Sequence, residues 1–261
     1  MSVEVESRMT QEAAPRVSGR DFLGAGETRR FLRSQAVLGG LTAVALIVAL
    51  YMVFLYAPPE REMGEIQRLF YFHVASGWLA MVAFLVVFAG SLMFLWRGRL
   101  KYDRWAEASA GIGVLFTTIV LVTGPLWARP IWNTWWTWEP RLTSSLVLWI
   151  MYAAYLLLRG NFPESRKKYQ ICSVYAIIAF LDVPLVFFSV RRMRDAEVYR
   201  GLHPVVISAN KIDLEPEMIL TLIVSCLAFT LLYALLWRFR LRVGMVRDEI
   251  WRIRRVLMER E

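Results

Sequence analysis

The chain has 261 residues, of which 57% are hydrophobic and 14% aromatic, and its 31 Lys and Arg against 22 Asp and Glu give a net charge of +9. A soluble domain is roughly 45–50% apolar by a count that includes glycine, so these values argue against disorder, a collagen-like rod, a small disulfide scaffold and an ordinary water-soluble enzyme. Eleven tryptophans and two histidines are the unusual counts: the first exceeds what padding needs, and the second leaves few groups for acid–base chemistry or metal ligation.

In chain order, residues 1–35 form a polar tail without an apolar core, which does not read as a signal peptide. Six apolar runs follow, roughly Ala36–Ala57, Phe70–Trp96, Ala106–Trp127, Leu142–Leu158, Ile171–Val190 and Glu217–Trp237. Each is near the ~20 residues that cross a hydrocarbon core. Lipid offers no partner to backbone N–H and C=O groups, so each run is predicted to be a helix; a closed barrel would show alternating segments of about ten residues. The first run ends in Tyr56-Ala57-Pro58-Pro59, without an A-x-A cleavage pattern, and is expected to stay as an anchor. Ala108, Ser109, Ala110, Gly111 and Gly113 open the third run and suit close helix–helix approach. Asp182, beside Pro184 in the fifth, is expected to face the bundle interior and hydrogen-bond there at a kink. Cys172 and Cys226 lie inside runs, without CxxC spacing, and read as small buried hydrophobes. Residues 238–261 are arginine-rich, with Val243, Val246, Ile250, Ile253 and Leu257 on one side, the pattern of an interfacial amphipathic helix. The predicted architecture is an all-α membrane protein: a six-helix transmembrane bundle over residues 36–237, between a tail at 1–35 and a basic segment at 238–261.

The Lys and Arg residues give an orientation. The tail, loops 97–105 and 159–170 and the final segment hold 22 of them, against nine in 58–69, 128–141 and 191–216. Both termini are therefore expected in the cytoplasm and the other three loops outside. The basic excess reads as topology and contact with anionic lipid in the bilayer, not as a nucleic-acid footprint.

The unusual residues collect on the outer side. Trp127, Trp132, Trp135, Trp136 and Trp138 fall within twelve residues, beside Glu139 and Arg141. An interfacial aromatic belt explains one or two rings at a helix end; four rings between positions 132 and 138 suggest a shelf for a flat, conjugated ligand. His73 is placed a turn or so inside the outer end of the second span, and His203 lies in the last outer loop. Two imidazoles and an aromatic shelf suit haem, which takes histidine as an axial ligand, better than zinc, which wants three or four protein ligands. Arg191, Arg192 and Arg194 put positive charge where the topology rule disfavours it; haem propionates, anionic headgroups or another subunit would each answer it. There is no CxxCH for covalent haem and no GxxxxGK[ST], so any ATP-driven step belongs to another subunit.

Trp132 to Ser144, reading WNTWWTWEPRLTS, resembles the WGxWWxWDxRLT signature of the haem-handling proteins of cytochrome c maturation. Gly124-Pro125-Leu126-Trp127-Ala128, Tyr71-Phe72-His73-Val74 and the stretch from Asp182 to Val190 match as well. The likeness covers about residues 36–237, and six spans with two histidines are similar to the CcmC branch rather than to the larger CcmF and CcsA relatives. It implies a non-enzymatic membrane subunit that binds haem b transiently at the outer face of the inner membrane and passes it to the haem chaperone CcmE. CcmD and the ABC subunits CcmA and CcmB would be partners. It further implies His73 and His203 as axial iron ligands, Trp132, Trp135, Trp136 and Trp138 as platform with Glu139 beside it, and Arg141 and Arg191 as propionate partners. Glu139 stands where the signature has Asp and Asn133 where it has Gly, and the stretch from Arg191 to His203 is longer than in the family and lacks its tryptophan pair. Two other classes make different demands. A cytochrome c synthase-type lyase would carry more histidines and a large external domain, and an electron-transfer b-type cytochrome would set its histidines deeper.

Overall fold

A computed structural model describes residues 25–186, 188 and 214–258. His203 and Arg191, both expected at the site, lie outside the described residues, as do Val190 and most of the last outer loop. The chain divides into two compact units, one ending at Gly40 and the other beginning at Leu41. In the first unit, helix α1 (Ala25–Tyr51) begins, and Ser34 Oγ donates to the Phe31 carbonyl at 2.9 Å.

In the second unit α1 runs into a π-helical turn, Met52–Tyr56, closed by Ala57 N–H donating to Met52 O at 2.8 Å. Pro58 and Pro59 follow and cannot continue a helix. A 3-10 turn (Glu65–Gln67) leads into α2 (Arg68–Arg97), then come α3 (Leu100–Trp132), α4 (Pro140–Asn161), α5 (Arg166–Phe180) and α6 (Pro216–Met258). Local chemistry sets the ends. Gly98 caps α2 in the left-handed region, Pro140 occupies the first turn of α4, and Ser165 Oγ accepts from Lys168 N–H at the start of α5. Six helices are long and apolar enough to cross a membrane, and among the described residues there is no strand, so the protein is an all-α, six-span membrane protein. The sixth span does not stop near Trp237: one helix continues through the basic amphipathic segment to Met258.

α2 lies at the centre, packing against α3, α5 and α6, while α3 also meets α4 and α6. Small residues make the α2–α3 contact possible. Ser109 Oγ donates to Ala83 O at 2.8 Å and shares a 2.7 Å hydrogen bond with Tyr233 OH of α6. At Gly113 a Cβ would lie 2.4 Å from Phe84 Cε1. The Phe84 ring cannot retreat, because it stacks on Tyr152 of α4 at 3.8 Å. Gly113→Ala is therefore expected to cost about 1–3 kcal/mol by overpacking, seen as a lower thermal midpoint in detergent.

The end of the bundle away from the Trp127–Trp138 segment is tied by charge. Arg159 was counted above with a topology-setting loop, yet it lies on α4, buried, because two carboxylates meet it there. Its guanidinium donates to both oxygens of Asp103, at 2.8 and 2.5 Å, and to Tyr155 OH at 3.2 Å, with Glu107 at 3.4 Å. Arg247 reaches Glu107 at 2.8 Å and Arg104 reaches Asp248 at 2.8 Å, which fastens the extension of α6 to the start of α3. In the 162–165 connection, burial raises the Glu164 carboxyl, but hydrogen bonds from Lys168 and Tyr169 and the charges of Lys168 and Arg159 outweigh it and hold its pKa below the ordinary value. Being depressed, that group stabilises the fold at neutral pH and ceases to do so as acid protonates it.

A turn at Leu181 interrupts the helical run, and Asp182 Oδ2 is buried with no hydrogen-bond partner among the described residues.

Candidate functional site

At the opposite end, the start of α2, the end of α3 and the start of α4 enclose an open-sided cavity of about 270 Å³, just under the usual range for small-ligand sites. His73, Trp127, Trp132, Trp135, Trp136 and Arg141 are on its wall, with Gly77, Val120 and Leu148 among the apolar lining. His73 sits five residues into α2, hence about 7–8 Å along its axis.

The tryptophan segment is half helix and half loop. α3 continues through Pro125 and Pro130 to Trp132, so Trp127 and Trp132 belong to its last turns and only Asn133–Glu139 is a connection. Each proline forgoes one backbone hydrogen bond near the helix end, a loss that membrane helices tolerate where neighbours cover the freed group. Asn133 then ends the helix at φ 54°, the one described non-glycine residue with positive φ. Arg129 locks the turn: its Nη1 donates to Asn133 O at 2.7 Å and to Asn133 Oδ1, and its guanidinium lies 5.8 Å from the Trp135 ring centre. Asn133→Gly is expected to keep the turn, while Asn133→Val costs about 1–2 kcal/mol locally and exposes the connection to limited proteolysis.

The rings form walls rather than a flat shelf. Trp127 and Trp132 meet edge to face at 5.6 Å, and Trp136 and Trp138 at 5.9 Å. Trp127, absent from the expected platform, is 5% exposed and stands 6.3 Å from the His73 ring. Trp138, which was expected in the platform, is 73% exposed and is not in the cavity lining. Trp135 lines the cavity but is 56% exposed, at its rim. Glu139 is 4% exposed at the N-cap of α4 and supplies the opposite charge to Arg141.

Polar groups around the cavity separate into satisfied and unsatisfied sets. The indole N–H of Trp78 donates to Thr230 at 3.1 Å. By contrast, Trp127 Nε1, Trp136 Nε1 and Thr137 Oγ1, all on lining residues, are buried without a hydrogen-bond partner among the described residues. A buried donor left unpaired costs roughly 1–3 kcal/mol, and all three atoms are shielded from the open cavity as well as from solvent. His73 Nδ1 lies 2.9 Å from Thr123 Oγ1, and Gly124 approaches its Cε1 closely enough that a Cβ there would stand at 3.4 Å. An imidazole, indole walls and an arginine fit an iron porphyrin with carboxylate side chains.

Comparison with known proteins agrees in class. The family described as heme exporter protein C (CcmC) matches residues 26–256. The chain is 32% identical to the heme exporter protein C of Bradyrhizobium diazoefficiens over 220 residues, which are 83% of this chain and 79% of that protein. It is 31% identical to the Escherichia coli K12 heme exporter protein C over 202 residues, 77% and 79% of the two chains. For the Haemophilus influenzae protein of the same name the identity is 29% over 213 residues, 80% and 83%.

Proposed function

Because the chain belongs to the heme exporter protein C family, we propose that it holds haem b transiently in the cavity at the tryptophan end and hands it to a CcmE-type chaperone. It is a multi-pass membrane protein that handles haem for cytochrome c maturation. In our reading it is a transfer subunit, with both termini in the cytoplasm and the cavity on the outer face of the inner membrane. CcmD, CcmA and CcmB would be its partners, any ATP being spent by the last two.

One observation supports this most: His73, the indoles of Trp127, Trp132 and Trp136, and Arg141 line one apolar cavity. His73 would ligate iron from one side, and His203 from the other on the family's pattern. Trp132, Trp135 and Trp136 would wall the macrocycle with Trp127, leaving Trp138 at the surface a partner meets. Arg141, charge-balanced by Glu139, would take one propionate and Arg191 the other. A cavity of this size covers only part of a macrocycle, so an edge stays outside, where a chaperone can take it.

Expression in a bacterium deleted for its own heme exporter protein C tests the proposal. The chain should restore covalent haem on the chaperone and mature c-type cytochromes. A stably inserted chain that restores neither, with its cognate partners present, would overturn it.

A further inference from the structure

We propose that Thr123 is a positioning residue that fixes the tautomer of His73, putting the ring proton on Nδ1 and the lone pair for iron on Nε2; this rests on His73 being a haem ligand. His73 on α2 and Thr123 on α3 are fifty residues apart and meet at 2.9 Å through Nδ1 and Oγ1. Thr123 Oγ1 also lies 2.7 Å from the carbonyl oxygen of Ile119, one turn earlier. A hydroxyl has one proton and two lone pairs, and a carbonyl oxygen can only accept. Two oxygens at 2.7 Å with no proton between them repel, so the Thr123 proton belongs to Ile119. Oγ1 can then only accept from His73, so Nδ1 must donate. A neutral imidazole has a single N–H, so Nε2 is left as the base.

Two other threonines in the bundle show the same arrangement where the roles are unambiguous. Thr118 Oγ1 donates to Val114 O at 2.8 Å and accepts the Trp149 indole N–H at 2.8 Å. Thr230 Oγ1 donates to Cys226 O at 2.7 Å and accepts the Trp78 indole N–H at 3.1 Å. An indole nitrogen is a donor only, so in both cases the hydroxyl gives its proton to the helix carbonyl and receives one from the neighbouring ring. Thr123 is the third case, with imidazole in place of indole. The consequence is chemical, since histidine in water prefers the proton on Nε2, the nitrogen that would have to lose it to bind iron. The chain Ile119 C=O, Thr123 O–H, His73 N–H fixes the ring's orientation and tautomer before haem arrives, as partners of metal-bound histidines do; their loss typically costs about 10–100-fold in affinity.

With only two histidines in the chain, the ¹⁵N spectrum of the full-length, haem-free protein labelled on histidine reads this directly. Comparison with His73→Ala assigns the signals. At a pH where the ring is neutral, wild-type His73 should show the Nδ1–H tautomer; Thr123→Val should move it to Nε2–H, and Thr123→Ser should keep the wild-type pattern. Haem affinity should fall about 10–100-fold in Thr123→Val and recover in Thr123→Ser. An Nε2–H signal in the wild type, or Nδ1–H retained in Thr123→Val, would overturn the proposal. A loss of haem in His73→Ala with full affinity in Thr123→Val would overturn this inference alone, whereas unchanged affinity in His73→Ala would overturn the ligand assignment beneath it.

Discussion

His73→Ala is expected to lower haem affinity at least about 100-fold, or roughly 2.7 kcal/mol, and to change the haem absorption spectrum. The residue lines the cavity where α2, α3 and α4 meet, and it is the one histidine of the chain within the described residues. Its removal leaves indole walls able to take a macrocycle by apolar contact alone, so residual binding should be weak and spectrally distinct. Haem titration of the purified protein, followed by absorption, measures both effects. The fold should survive, because His73 is hydrogen-bonded to a threonine that has a second partner in the Ile119 carbonyl.

The largest stability effect should come from the other end. Arg159→Ala leaves the carboxylate of Asp103 buried without its guanidinium, a loss expected to cost about 3–5 kcal/mol. Both side chains are almost fully enclosed, at 6% and 3% exposure, so solvent offers little compensation. Replacing the pair together, Asp103→Leu with Arg159→Met, should recover most of that loss, since no uncompensated charge at Asp103 then remains. Thermal unfolding in detergent would show the single variant far below the wild type and the double variant near it. A single variant as stable as the wild type would show that the pair does not hold α3 and α4 together. The folded fraction of either variant should bind haem normally, because the ion pair lies at the end of the bundle away from the cavity.

Much of the architecture was legible because the bilayer simplifies the code. An apolar run of about twenty residues has one stable solution, a helix, and among the described residues all six runs are helical, the fifth with a turn at Leu181. The tryptophan segment stood out as a candidate ligand site because four rings in seven residues exceed what an interfacial belt requires. What the sequence hid lies in helix continuity and in long-range partners. The third run was expected to stop at Trp127, yet α3 passes through Pro130 as well as Pro125, which moves Trp132 onto helix, and Trp127 is a wall of the cavity. Arg159 reads as a topology charge at a helix end; its partner Asp103 is fifty-six positions away, and no local pattern connects them. Thr123 carries no signal at all, since threonines that bond back to their own helix are common along α3. Asn133 is the opposite case: its tolerance of positive φ is a property of the residue type, and the structure places it in that conformation.

The central claim is that the cavity beside His73 is where haem sits. A cryo-electron microscopy map of the haem-loaded protein tests it most directly. Density for the macrocycle is expected between the indoles of Trp132, Trp135 and Trp136, with iron bonded to His73 Nε2. A macrocycle held elsewhere on the bundle, or iron bonded to a residue other than His73 on that side, would contradict it.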